Sequence, residues 1–551
     1  MRINAIRYII VLLIFCINNL HAQTDSHKHY LVQYGQVWGV LKYFHPKPSS
    51  MNWDEVLLND FDKVQKCQSK DTFNILISSL INRCGDYTLK LRKVDSLSFF
   101  PQSFEFLDKN DFSFENLHYL KKLVQNKPKF RNKFIHESIG VGNPEVVHEE
   151  DYGAYQFNPA IQYLALTRYW NVINYYYPNR DILPKNWINV YENYLPIFLQ
   201  VNDFTSYLSA IRGVTCELKD GHGFVETKNI PTKEKKYLPF FTTYLKEGFF
   251  VTSTWQDSLN PFNLKINDRL VAISGIPIED KVKELSTRVA VSNEYCLFKK
   301  APMYFLEAED SLWITIERDQ KTYDLKLGSI DNNTVKKRSK PMPALDEKPP
   351  YRFRKDSISG VNYCYINMGK LKREDLTDDF KMQLYDTKYV IIDSRNYPNW
   401  TVIALSKILI RGRYKFARFK KINFDYPGSF EWDNSQTIGG RSKGYDGKII
   451  VLVDYNTMSQ AEYTVMALQQ YPSTYVIGGQ TAGADGNISF VPFPFDVKSY
   501  FSGLSVFYPD GTATQQIGIK RDLMVEQDFK SLLDNKDLSF EKALEVIRTG
   551  K

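Results

Sequence analysis

The chain has 551 residues, enough for three or four domains with sizeable apolar cores. Its formal charge of +8 comes from interspersed positive and negative residues, a pattern that gives no support to nucleic-acid binding. The six cysteines are widely scattered, so they form neither a disulfide framework nor a zinc pattern, although one or two bridges remain open in an oxidising compartment.

Residues Met1–Ala22 read as a secretory signal: Arg2 and Arg7, then the apolar run Tyr8–Ile17, then Leu20-His21-Ala22. The run is too short to span a bilayer, and Phe15 before Cys16 is bulky where a lipoprotein signal wants a small residue. An exported protein, periplasmic or extracellular, is favoured over a lipoprotein, with no integral membrane segment after signal removal.

Residues 23–150 and 151–235 read as helical regions built on an internal repeat. Trp38-Gly-Val-Leu-Lys-Tyr-Phe-His-Pro46 is echoed by Trp170-Asn-Val-Ile-Asn-Tyr-Tyr-Tyr-Pro178. A second tryptophan (Trp53, Trp187), an apolar-periodic helix and a cysteine (Cys84, Cys216) follow in each copy. The aromatic residues are expected in a core seam rather than as ligand stackers. Between the copies the chain is charged and irregular, with a helix near Phe114–Gln125.

Residues 236–330 predict a small β-rich domain with strands near Gly248–Thr252 and Trp313–Arg318. Its phrase Leu264-Lys-Ile-Asn-Asp-Arg-Leu-Val-Ala-Ile-Ser-Gly-Ile-Pro277 resembles one found in PDZ domains, which bind extended peptides by strand addition. Residues 331–350 form a basic, proline-rich linker. From 351 to 551 strands and helices alternate: Asn362–Asn367, a helix near Lys372–Tyr385, Tyr389–Asp393, a helix near Thr401–Arg411, Lys448–Asp454 with its helix, and Tyr475–Gly478. This order predicts an α/β fold with a mainly parallel sheet and crossover helices. Ile488–Pro509 reads as antiparallel and Ser539–Arg548 as a closing helix.

The most informative stretch is Lys448–Asp454 followed by Tyr455-Asn-Thr-Met-Ser459-Gln-Ala-Glu462. A serine at a strand-to-helix turn projects from a rigid corner, beside the free N–H groups of the first helical turn. Ser-x-x-Glu is also a capping box that opens inert helices. A serine nucleophile needs a base, and no histidine follows His222 in the chain. His222, in the turn Asp220-Gly-His-Gly223, is the best-placed partner.

Together these residues resemble the tail-specific (C-terminal processing) serine peptidases and their tricorn-core relatives. Ser459-Gln-Ala-Glu462 resembles the family's nucleophile phrase, Val390-Ile-Ile-Asp-Ser-Arg-Asn-Tyr-Pro398 its Asp-x-Arg-x-x-Pro strand end, and Gly478-Gly-Gln-Thr-Ala-Gly483 its Gly-x-x-Thr-x-Gly loop. The resemblance implies a ClpP/crotonase-like core and a serine-type endopeptidase acting on a protein or peptide substrate, without metal or cofactor. The Ser/Lys branch carries lysine where this chain has Ala484, whereas Asp220-Gly-His222 fits the Ser/His branch, making His222 the general base. Backbone N–H groups of Gln460, Asn399 and Trp400 are the expected oxyanion donors, although the family has Gly-Gly where Asn399 and Trp400 stand. The family's orienting glutamate corresponds to Gln515, so orientation of His222 falls to Gln515 or Asp220, and a carboxylate restored at 515 is expected to raise turnover. The alternative is a degenerate relative that binds a peptide or hydrophobic ligand without cleavage. An α/β-hydrolase esterase is disfavoured, since Gly-x-Ser-x-Gly is absent. Peptide specificity and oligomeric state are left open.

Overall fold

The computed structural model describes residues 28–550 except 86–100, 109–110, 127–129, 155, 184–185, 230–235, 255–263, 306, 309, 332–348 and 441–442. The expected signal and nearly all of the linker lie outside the described residues. Among the described residues no helix is long and apolar enough to cross a membrane.

The two helical regions carry the same tryptophan contact. Helix α1 (28–44) precedes α2 (Trp53–Gln65) and α3 (Lys70–Cys84), and α4 (Phe114–Gln125) follows the inter-copy segment. The second copy supplies α5 (Pro159–Tyr176), α6 (Trp187–Leu199) and α7 (Phe204–Cys216). In the first copy the Trp38 indole donates to Trp53 O at 2.9 Å and the Trp53 indole to Trp38 O at 3.1 Å. In the second copy Trp170 and Trp187 make the same reciprocal clasp. Each indole N–H buried by the seam thereby finds an acceptor, which a buried donor requires. A buried ion tetrad joins the copies: Lys42 lies 3.3 Å from Asp54 and 2.8 Å from Glu149, while Arg168 lies 2.6 Å from Asp54 and 3.0 Å from Glu149. The aromatic seam is core, as expected.

After α7 and the His222 turn comes strand β1 (Val225–Thr227). A separate antiparallel sheet then contains β2 (Phe240–Leu245), β3 (Gly248–Thr254) and β4 (Arg269–Ile273). Helices α8 (Ile278–Leu285) and α9 (Glu294–Phe305) and strands β5 (Ser311–Arg318) and β6 (Lys321–Gly328) complete this unit. Its sheet order is β6-β5-β4-β3-β2, closed around its own apolar core.

The carboxy-terminal core is α/β. Strands β7 (Tyr351–Lys355), β8 (Asn362–Asn367), β9 (Tyr389–Asp393), β10 (Lys448–Val453) and β11 (Thr474–Gly478) lie in one sheet in chain order. Strands β8 to β11 are parallel, and β7 pairs antiparallel with β8. Strand β10 is almost wholly buried, consistent with its unbroken Ile/Val/Leu run. The hairpin of β12 (Ile488–Phe493) and β13 (Val497–Ser502) stands outside this sheet. Strand β13 pairs with β1 across about half the chain, with Ser499 opposite Val225. Phe493, Phe495 and Phe501 of this hairpin region sit in the core of the helical repeat, against Tyr169, Tyr207 and Tyr177 respectively. All five described cysteines are buried and free, so the bridges left open by the sequence do not form among them.

Candidate active site

The corner that carries Ser459 is built locally. Strand β10 ends at Val453, and the following turn is pinned by Thr457, whose hydroxyl donates to Ser394 O at 3.0 Å beyond the end of β9. Ser459 then opens helix α10 (Gln460–Leu468) with φ 59° and ψ −125°. A non-glycine residue in this region costs about 1–3 kcal/mol and persists only where its surroundings hold it. Here they do: Ser459 N–H donates to Ala484 O at 2.9 Å and to Glu462 at 3.2 Å. Glu462, fully buried, also accepts from Thr481 Oγ1 and from the N–H groups of Gly483 and Ala484. The expected box glutamate is therefore a knot tying the Ser459 turn to the 481–484 loop. Burial raises its pKa, opposed by these donors.

The histidine arrives from the far end of the chain because β1 pairs with β13. His222 is buried, and its Nδ1 lies 2.9 Å from Ser502 Oγ. That hydroxyl donates to Asp220 Oδ1 at 2.8 Å. A hydroxyl has one proton and a carboxylate only accepts, so Ser502 Oγ must accept from Nδ1–H. The ring is thus held in the tautomer whose Nε2 is a free base. Asp220 is in turn fixed by the N–H groups of His222 (2.9 Å) and Ser502 (2.6 Å), by Gln515 Nε2 (3.1 Å) and by Tyr177 OH (3.3 Å). Burial lowers the pKa of His222; Asp220 opposes that, while Lys300 and Lys299 add to it.

Ser459 and His222 line one cavity of about 800 Å³, together with Gln460, Trp400, Lys299 and Asp485. Its walls include Phe224, Phe419, Tyr463, Leu504 and Val506. Trp400 is 67% exposed and keeps φ 56°, so the left-handed backbone of the 399–400 turn survives without glycine. Asn399 does not face the cavity with its side chain, which bonds Gly369 O and Leu371 O and braces the turn. Gln515 has no direct contact with His222 among its hydrogen bonds and instead supports Asp220. The carboxylate that reaches the His222 ring is that of Asp220, through Ser502 Oγ.

Sequence reasoning missed Ser502, Lys299 and Asp485. Lys299 Nζ donates to Asn456 O at 3.1 Å on the cavity wall, and burial lowers its pKa. Asp485, beside the Ala484 that accepts from Ser459, is buried with its pKa raised well above normal by desolvation. Nothing local distinguishes these three residues in the sequence; each acquires its place through tertiary contact.

A serine cornered at the end of a parallel strand within this α/β core fits a serine-type peptidase. Residues 362–525, within this core, match Peptidase family S41. The match includes Ser459 and leaves Asp220 and His222 outside it. The solved structure of mature CPAF complexed with lactacystin has the same fold, with a TM-score of 0.55 at 12% identity over 71% of this chain and 98% of that one. Mature CPAF alone gives 0.54 at 12% identity, over 71% and 96%. No curated protein sequence matches this chain.

Proposed function

We propose that this chain is an exported serine endopeptidase in which Ser459 is the nucleophile and His222 the general base. The observation carrying this reading is the hydrogen-bonded chain from Asp220 through Ser502 to His222 Nδ1, ending on the cavity that also holds Ser459. His222 Nε2 takes the Ser459 proton as Oγ attacks a peptide carbonyl. The imidazolium is stabilised through Ser502 and Asp220, then returns its proton to the leaving amine. A water activated by the same ring releases the acyl group. Backbone N–H groups of Gln460 and of Asn399 or Trp400 hold the oxyanion. The β-rich unit at 236–330 serves as a PDZ-like module. A fluorophosphonate probe should label Ser459 in the wild type. Ser459→Ala should lose labelling and peptide hydrolysis with little change in Tm, since a lost helix cap costs about 1 kcal/mol. Labelling at another residue would refute the assignment.

A second reading, ligand binding without cleavage, is favoured by the aromatic cavity walls and by Trp400 at the oxyanion turn. It is the reading to adopt if wild-type protein neither labels nor cleaves unfolded substrates.

A further inference from the structure

Helix α9 of the β-rich unit touches both halves of the site. On the nucleophile side, the residues just before it bond the 481–484 loop: Ser292 Oγ donates to Ala482 O, and Asn293 Nδ2 to Thr481 O at 3.0 Å. Lys299 Nζ donates to Asn456 O in the turn before Ser459. On the base side, Lys300 Nζ donates to three carbonyls: Gly221 O at 2.7 Å, Gly223 O at 3.3 Å and Ala290 O at 2.6 Å. An ammonium has three protons, and all three are used. Two of the acceptors flank His222 directly.

The turn has no slack of its own. A Cβ at Gly221 would come within 2.7 Å of both Ala484 Cβ and Ser292 Oγ, and one at Gly223 within 2.6 Å of Ala290 Cβ. The glycines let the turn wedge between α9 and the nucleophile loop, and bare carbonyls are left facing the helix. A buried carbonyl needs a donor, and Lys300 is the donor for the pair around His222.

We propose that Lys300 is a positioning residue for the general base: by holding the carbonyls on either side of His222, it makes the β-rich unit a structural part of the catalytic site. This rests on the reading of His222 as the base. Lys300 does not touch substrate; it acts through the turn. The charged groups facing His222 are Asp220 from its own turn and Lys299 and Lys300 from α9. Polar contacts around Asp220 and the ring come from Ser502, Gln515 and Tyr177. Both lysines oppose protonation of the ring, so Lys300 contributes charge as well as geometry.

The two contributions separate by substitution. Lys300→Met removes both. Lys300→Arg keeps the charge, but a planar guanidinium cannot set three donors on acceptors arranged around one point. Expected for Lys300→Met is a fall in kcat of ~10-fold or more with KM nearly unchanged, because small misplacements of a catalytic group are costly. The acid limb of kcat/KM should also move to higher pH. Lys300→Arg should leave that limb in place while kcat still falls. Titration of His222 by NMR in histidine-labelled protein, assigned with His222→Gln, reads the charge effect without any need for activity. It should move upward in Lys300→Met. Wild-type kcat together with an unmoved His222 titration in Lys300→Met overturns the proposal. So does a drop in activity that follows the unfolded fraction alone. If Lys300→Met does not fold, wild-type kcat in Lys300→Arg overturns the geometric role. Should Ser459 prove not to be the nucleophile, the NMR shift still decides the contact, so the two failures are distinct.

Discussion

Ser502→Ala tests the site most directly, because it removes one atom from the chain between Asp220 and His222. Ser502 Oγ makes two hydrogen bonds there, from Nδ1 at 2.9 Å and to Asp220 at 2.8 Å. Asp220 keeps its other donors: two backbone N–H groups, Gln515 and Tyr177. The carboxylate is therefore not orphaned, and the stability loss should be about 1 kcal/mol. The transition state loses more. Imidazolium formed as Ser459 gives up its proton no longer shares its Nδ1 proton with a group tied to a carboxylate. A hydrogen bond to a charged group contributes about 1.5–3 kcal/mol, which converts to a fall in kcat of ~10- to 150-fold. The assays are cleavage of an unfolded protein substrate, the rate of fluorophosphonate inactivation, and Tm. Both rates should fall together while KM and Tm hardly move. A fall of less than ~3-fold in both rates would refute the relay, since even the low end of the range for a bond to a charged group is ~10-fold.

Three further outcomes follow from the geometry. Gln515→Glu, expected from the sequence to raise turnover, should lower it, because a carboxylate there would face Asp220 where the amide now donates at 3.1 Å; steady-state kinetics and Tm decide. The acid limb of kcat/KM should lie below pH 6.5, since burial with Lys300 and Lys299 lowers the His222 pKa from its ordinary 6.5 and the base works only when neutral; a wild-type limb at or above 6.5 contradicts this. Lys42→Met should destabilise by about 3–5 kcal/mol in denaturant unfolding, since it leaves Asp54 and Glu149 with Arg168 alone inside a buried tetrad.

Short-range features were legible in the sequence. The Ile/Val/Leu run of β10, the turn and Ser459 at the head of α10 are set by neighbours in the chain, so periodicity and capping residues announce them. The repeat was equally plain, because both tryptophan clasps close within one copy, over 15 and 17 positions. His222 was reached by the absence of any later histidine, and Asp220 by its place two residues away. What the sequence alone could not decide is which distant strand receives the His222 turn. Pairing of β1 with β13 brings Ser502 to Nδ1 across 280 positions, and hydroxyls carry no mark of that pairing beforehand. The same holds for Lys299 and Lys300, two lysines on a helix of another unit that become neighbours of the site only when α9 docks against the His222 turn and the turn before Ser459. Local propensity is written in adjacent residues; the relay depends on register and packing between segments that meet only in the folded chain.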